Sequence, residues 1–369
     1  MHTHINLAKK VFSLVFLSII SFCFYAQEKP NVELHGALRF NYKLYSWNQQ
    51  QQKRGGDIGY DMFAINPKAS YKGLTLQVKY RLYAQEYGAG LLRQGDITYT
   101  FQNKDQFILG LTKVPFGITP YNSHSYYLSM GYYIGLEDDY DVGFTYTHKG
   151  KNIDYQLAFF KNSEDLFVGE ESAKRYSYDV IGDYKETNQV NGKIVYKVGK
   201  KYQQQIGTSL MYGGLHNIKT NQYKSHYAIA VHYEGNINQF NIKAQATSFK
   251  KNTGTDYVEF GAYNATYNVA SKGELYTLGA SYNFPLKSKV FDNIQVYDNY
   301  AYFDKSNKEY INSFTNTVGI LVHAGNIYSY IEFITTKNQP WFNEGWTNSF
   351  AKGDDKVQTL FNINVGYYF

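Results

Sequence analysis

The last thirteen residues, Val357 to Phe369, constrain the fold more than any other stretch. Val357, Thr359, Phe361, Ile363, Val365, Tyr367 and Phe369 form one row, and Gln358, Leu360, Asn362, Asn364, Gly366 and Tyr368 the other. Strict alternation marks a strand with different surroundings on its two faces. A soluble protein gains little from ending on a free apolar strand edge. A closed barrel in a membrane has no edge, because its last strand pairs with its first, and outward aromatics suit the membrane interface.

Composition agrees with such a wall. Mean hydropathy is polar at −0.47, yet the chain carries 39 Tyr and 25 Phe. Aromatic belts on alternating strands reconcile the two. Six prolines and 31 glycines exclude a collagen-like or disordered chain. The formal charge is +6, and no dense basic run points to nucleic acid.

The first residues read as a secretory signal. Lys9 and Lys10 precede an apolar stretch from Val11 to Phe24, and cleavage is expected at Ala26-Gln27. The division is then residues 1–26 as signal peptide and 27–369 as barrel. Loss of the two lysines leaves a mild positive charge. The sole cysteine, Cys23, lies in the signal, and Phe22 before it argues against lipidation. Neither disulfides nor thiol chemistry remain for the mature chain. Beyond the signal no apolar run reaches the length of a membrane helix, so a membrane location requires strands.

Alternation recurs along the chain. Leu34, Gly36, Leu38, Phe40, Tyr42 and Leu44 oppose His35, Ala37, Arg39, Asn41, Lys43 and Tyr45. A second strand spans about Tyr60 to Tyr71, interrupted by Pro67, and Lys72-Gly73 reverses the chain. Leu74, Leu76, Val78, Tyr80 and Leu82 then oppose Thr75, Gln77, Lys79, Arg81 and Tyr83. Ile97, Tyr99 and Phe101 head the fourth apolar row, and Phe107, Leu109 and Leu111 the fifth. Further strands are expected near 139–148, 152–163, 188–198, 203–213, 224–234, 238–249, 273–284, 291–304, 312–323, 327–337 and 357–369. The expected fold is therefore all-β: a transmembrane antiparallel up-and-down barrel of about sixteen strands, with short turns at one end and long loops at the other. No blade-length repeat supports a propeller.

Closure is a physical requirement, since lipid offers no water to satisfy backbone N–H and C=O groups. A barrel of this size leaves an aqueous lumen. Two features bear on what passes through it. Arg39, Lys43, Lys79 and Arg81, with Lys193, Lys197 and Lys243 on later strands, fall on inward rows and would attract anions. The third long loop, Ile118 to Asp139, follows Lys113 and is rich in Tyr and Gly, including Tyr121, Tyr126 and Tyr127. It ends in Glu137, Asp138, Asp139 and, just beyond, Asp141. Folded inward, it would narrow the lumen and set acids against the basic wall. A calcium site at Asp138, Asp139 and Asp141 lacks a spaced loop signature, so no metal and no cofactor are expected. No Gly-x-Ser-x-Gly, phosphate-cradling glycine loop or Cys-His set points to an enzyme.

These segments resemble a known family. Ile108 to Gly117, ILGLTKVPFG, resembles the strand and turn before the third loop of phosphate-selective-porin-like proteins, with Thr112 where phenylalanine is usual. Val296 to Ser306, Ile311 to Gly325, Lys337 to Phe342 and Leu360 to Phe369 resemble the same family in the same order. The resemblance implies a sixteen-stranded trimeric porin. Phosphate-selective members depend on a ladder of arginines and lysines. Here the arginines are only Arg39, Arg54, Arg81, Arg93 and Arg175, so the resemblance carries the porin role further than the selectivity. The terminal strand ending in Phe369 also resembles the signal read by the bacterial barrel assembly machinery.

The expectation is an outer-membrane porin for passive diffusion of small hydrophilic solutes, favouring anions or phosphate, without catalysis. Its partners would be outer-membrane lipid and lipopolysaccharide, the solutes themselves, the assembly machinery and two further copies in a homotrimer. The alternative is a closed binding or adhesion barrel with exposed contact loops.

Overall fold

A computed structural model describes residues 29–164, 169–199 and 203–369. The expected signal peptide and its cleavage site lie outside these residues, apart from the first residues after them. The strands in chain order are β1 (Asn31–Tyr45), β2 (Asp57–Tyr71), β3 (Leu74–Leu82), β4 (Gly90–Thr100), β5 (Gln106–Lys113), β6 (Tyr140–Lys149), β7 (Ile153–Asn162), β8 (Asp179–Val180), β9 (Tyr184–Val198) and β10 (Gln203–Asn217). They continue with β11 (Gln222–Ile237), β12 (Phe240–Lys251), β13 (Tyr257–Ala262), β14 (Ala265–Ala270), β15 (Lys272–Pro285), β16 (Asn293–Asp304), β17 (Ser313–Ala324), β18 (Ile327–Lys337) and β19 (Val357–Tyr368). All but β8, β13 and β14 form one closed antiparallel barrel of sixteen strands in sequence order. The seam is β1 against β19, from Ala37↔Tyr368 to Tyr45↔Leu360. Gly36 and Phe369 extend it by exchanging backbone hydrogen bonds of 2.8 and 3.0 Å.

The outer surface is what the alternation demands. Leu34, Ile206, Leu210, Val231, Leu278 and Phe333 are each at least half exposed. In water such a surface would be an aggregation patch; in lipid it is the contact belt. Pro67 keeps its place in β2, but the ladder to β3 passes from Ile65↔Tyr80 to Lys68↔Gln77 with no pairing at Asn66 or Pro67. Proline brings no N–H to a ladder.

Four register shifts interrupt strict alternation among the described strands, and two of them place charges. The β1–β2 register shifts between Arg39 and Phe40, so that Met62 and then Tyr60 are paired and Asp61 is extra. The β3–β4 register shifts between Lys79 and Tyr80, leaving Arg93 extra between Gln94 and Leu92. Counted by twos from Phe63 or Ile97, both charges would face lipid. The inserted residue reverses the phase and brings them inside.

The lumen is less open than the polar rows suggest. Toward the long-loop end the inward residues turn apolar: Leu215, Phe249, Leu275, Phe303, Ile334 and Leu360 are all buried. They are covered by L3 (residues 114–139), L4 (163–183), L6 (252–271) and L8 (338–356), which share one apolar cluster with them. Three strands were not expected here: β13 and β14 form a hairpin in L6, and β8 of L4 pairs with β13 at Phe260↔Val180 and Gly261↔Asp179. L8 joins through Val269↔Phe350 and through Trp346 Nε1 donating to Thr266 O.

Candidate functional site

L3 crosses the barrel interior. Its stem closes where Val114 N donates to Asp139 O at 2.9 Å. Gly117 then lies at φ +58°, and a Cβ there would sit 2.4 Å from the Gln245 amide, so glycine permits both the turn and the close approach. From that point L3 follows the inner wall strand by strand. Gly117 N donates to Ser209 Oγ on β10, and Ile118 N to Gln245 Oε1 on β12. Asn122 Nδ2 donates to Thr277 Oγ1 on β15, and His124 N to Asn299 Oδ1 on β16. Tyr126 N donates to Glu332 Oε1 on β18 at 2.7 Å, and Tyr127 OH to Asn362 Oδ1 on β19. A return turn, Met130–Ile134, brings the chain back. L3 thus lines the wall from β10 to β19 and leaves space against β1 to β3.

That space is a cavity of about 930 Å³. Its lining runs from Asp57, Glu86 and Tyr87 at the long-loop end to Tyr328 and Tyr368 near the turns. Arg39, Lys43 and Arg81 line it on the barrel side, and Tyr121, Tyr126, Tyr127 and Asp138 on the L3 side. The cations are held largely by aromatic rings. Arg39 lies 5.2 Å from the Tyr126 ring centre, Lys43 5.6 Å from Tyr127, and Arg81 4.9 Å from Tyr176 of L4. Arg93 lies 5.2 Å from both Tyr140 and Tyr176, and Lys113 5.1 Å from Tyr121. A ring face holds a guanidinium or ammonium without cancelling its charge.

Two carboxylates counter this row. Asp61 pairs with Arg39 at 2.7 Å and accepts from Tyr126 OH. Asp138 accepts from Arg93 at 2.7 and 2.8 Å, from Lys113 at 2.7 Å and from Tyr176 OH. Burial alone would raise the Asp138 carboxyl, but Arg93 and Lys113 outweigh it and hold the group below its ordinary range. Lys79 lies within electrostatic reach of Arg93, Lys113 and Asp138. Arg39, Lys43 and Arg81 thus line the cavity, and Lys79, Arg93 and Lys113 stand behind them around Asp138; the lining carboxylates are Asp61, Asp138, Asp57, which pairs with Arg54, and Glu86.

Not every residue singled out in the sequence meets here. Lys193 Nζ donates to Thr119 Oγ1, and Lys243 Nζ to Tyr121 O, so both anchor L3 on the far wall. Lys197 pairs with Asp154 at 2.6 Å near a turn. Glu137 staples L3 internally, accepting from Asn122 N and Ser129 N. Asp139 and Asp141 lie outside the cavity lining. Asp61, Arg93 and Tyr176 were not foreseen as site residues. A charge standing on an otherwise apolar row was the available sign for the first two; nothing local marks Tyr176.

No protein family's sequence profile and no curated protein matches this chain. Among solved structures it is similar to the outer-membrane channel DcaP of Acinetobacter baumannii, at 12% identity and a TM-score of 0.61 over 93% of this chain and 99% of that one. OmpF of Salmonella typhi matches at 12% identity and a TM-score of 0.61, over 92% and 97%. The anion-selective porin of Comamonas acidovorans matches at 13% identity and a TM-score of 0.59, over 92% and 100%. The fold is that of the outer-membrane porins.

Proposed function

We propose that this chain is a porin of the bacterial outer membrane, a passive channel for small hydrophilic solutes that favours anions. Solutes pass between L3 and the wall of β1 to β3, and L3 sets the width. No bond is made or broken. The observation that carries the reading is a cluster of six cations, with Arg39, Lys43 and Arg81 on the cavity lining and Lys79, Arg93 and Lys113 behind it, around Asp61 and Asp138; of the other lining carboxylates, Asp57 is paired with Arg54 and Glu86 stands in the loop after β3. Low-dielectric walls focus such a field and raise the local anion concentration. Arg39 is paired with Asp61, and Arg93 and Lys113 share Asp138. Among the described residues, Lys43 and Arg81 have no carboxylate partner. Likeness to the anion-selective porin of Comamonas acidovorans fits this charge pattern. Assembly as a homotrimer belongs to the same proposal, supported by a solved structure of OmpT from Vibrio cholerae described as a trimer, which matches at 13% identity and a TM-score of 0.57 over 93% of this chain and 100% of that one.

The test is conductance of the purified full chain in planar bilayers. Stepwise openings with a reversal potential toward the chloride equilibrium are expected in a salt gradient. A folded barrel that stays silent would overturn the channel, and a cation-directed potential would overturn the selectivity.

A further inference from the structure

Asp139 and Asp141 stand where L3 enters β6, on either side of Tyr140, and Asp179 is the first residue of β8 in L4. One carboxylate oxygen from each lies within 4.8 Å of the others. The three residues are 6%, 3% and 2% exposed. Asp138 is not part of the group, because Arg93 and Lys113 hold it in the lumen.

The cluster is short of positive charge. Asp139 Oδ1 and Asp141 Oδ1 are buried and meet no hydrogen-bond donor among the described residues. The other Asp141 oxygen has only a 3.4 Å contact from Gln189 Nε2. One cation, Arg175, reaches the cluster at Asp179 Oδ2 and is shared with Glu171 and Glu164, while Lys185 pairs with Glu171 and Lys251 with Glu186. A buried carboxylate without a donor is costly, and a third like charge alongside makes it more so.

We propose that Asp139, Asp141 and Asp179 bind one divalent cation, calcium by preference. The donors are all hard oxygens, which select calcium or magnesium over the softer metals. Calcium takes oxygens at about 2.3–2.6 Å in adaptable geometry, so two ligands facing each other across it stand about 4.6–5.2 Å apart. Oxygens no more than 4.8 Å apart are within reach of one such ion, and calcium's adaptable geometry suits ligands from separate segments better than magnesium's near-ideal octahedron. The ion joins the outer stem of L3 to L4. Because Gly261 pairs with Asp179, it also fastens the L6 hairpin, and so locks the loops that cover the mouth.

The test uses the full folded chain in detergent after chelation. Calorimetric titration with calcium chloride is expected to give one saturable site per chain, with weaker magnesium binding. Asp141→Asn and Asp179→Asn are each expected to weaken calcium at least about tenfold. Thermal melting supplies a second readout, through the stabilisation that a bound ion confers on the folded state. Calcium raises the wild-type midpoint. In chelator Asp141→Asn melts above wild type, because one buried like charge is gone, and calcium no longer raises it. No saturable uptake up to about 10⁻² M, beyond the weak end of extracellular calcium sites, would overturn the proposal. So would an Asp141→Asn protein that binds as the wild type does.

Discussion

The charge argument makes its sharpest prediction at Lys43 and Arg81. Both line the cavity, each rests on a tyrosine ring, and neither has a carboxylate partner among the described residues. A chloride passing about 5 Å from either head group in water gains about 0.8 kcal/mol, and screening at about 0.1 M salt trims this to about 0.5 kcal/mol. Potassium is disfavoured by the same amount. Each charge then shifts the chloride-to-potassium permeability ratio by roughly fivefold. The double variant Lys43→Gln/Arg81→Gln should lower the ratio by roughly five- to twenty-five-fold, read as the reversal potential of single channels in a salt gradient. Lys43→Arg keeps the charge and should leave the ratio unchanged. At about 1 M salt, where the screening length is about 3 Å, the difference between variant and wild type should largely vanish. A double variant that still conducts and keeps its ratio within about twofold of wild type at about 0.1 M would refute the reasoning, because the rings would then be masking the cations.

Further expectations follow from other parts of the molecule. Glu332 accepts from Tyr126 N, Tyr297 OH and Asn362 Nδ2; Glu332→Gln leaves one of these donors facing an amide NH₂, at about 1–3 kcal/mol. Noisier open-channel current and a lower melting point should result, and quiet traces at an unchanged midpoint would remove Glu332 as the L3 anchor. At Gly36 a Cβ would lie 2.4 Å from the Phe369 ring and 2.5 Å from Ala64 O. Gly36→Ala should therefore weaken the seam by about 1–3 kcal/mol, measured as faster unfolding in urea; wild-type rates would show that the seam yields freely. Lys305, in the loop after β16, donates to Ile311 O and Ser349 O at 2.6 Å, and burial pushes its pKa down to about 7. Its folded pKa lies below the unfolded value, so stability should rise with pH from about 7 toward the ordinary lysine value near 10.5 and fall again as pH drops. Lys305→Met should flatten that slope in urea titrations, and an unchanged slope would assign it to another group.

How much of this could be read from the chain follows from what each residue touches. Lipid imposes one rule on every wall strand, so Leu34 to Leu44 and Val357 to Phe369 announce their outward rows directly, and sixteen strands can be counted from such rows. The rule breaks where a bulge adds a residue. Asp61 and Arg93 stand on apolar rows by count and inside the barrel by geometry. A charge facing hydrocarbon is so unfavourable that its presence on an outward row is itself a sign of a phase change. The loops obey no comparable rule, because they meet protein rather than lipid. Tyr176 reaches Arg81 and Arg93 only because L4 folds inward, and β8 is a strand only because β13 lies beside it. Asp139 and Asp141 show the boundary between the two cases. Their spacing of two is local and legible, whereas Asp179, nearly forty residues on, joins them only through the docking of L4 on L6. What an environment imposes uniformly on the backbone is written in the period of the sequence; what one loop imposes on another is written only in the fold.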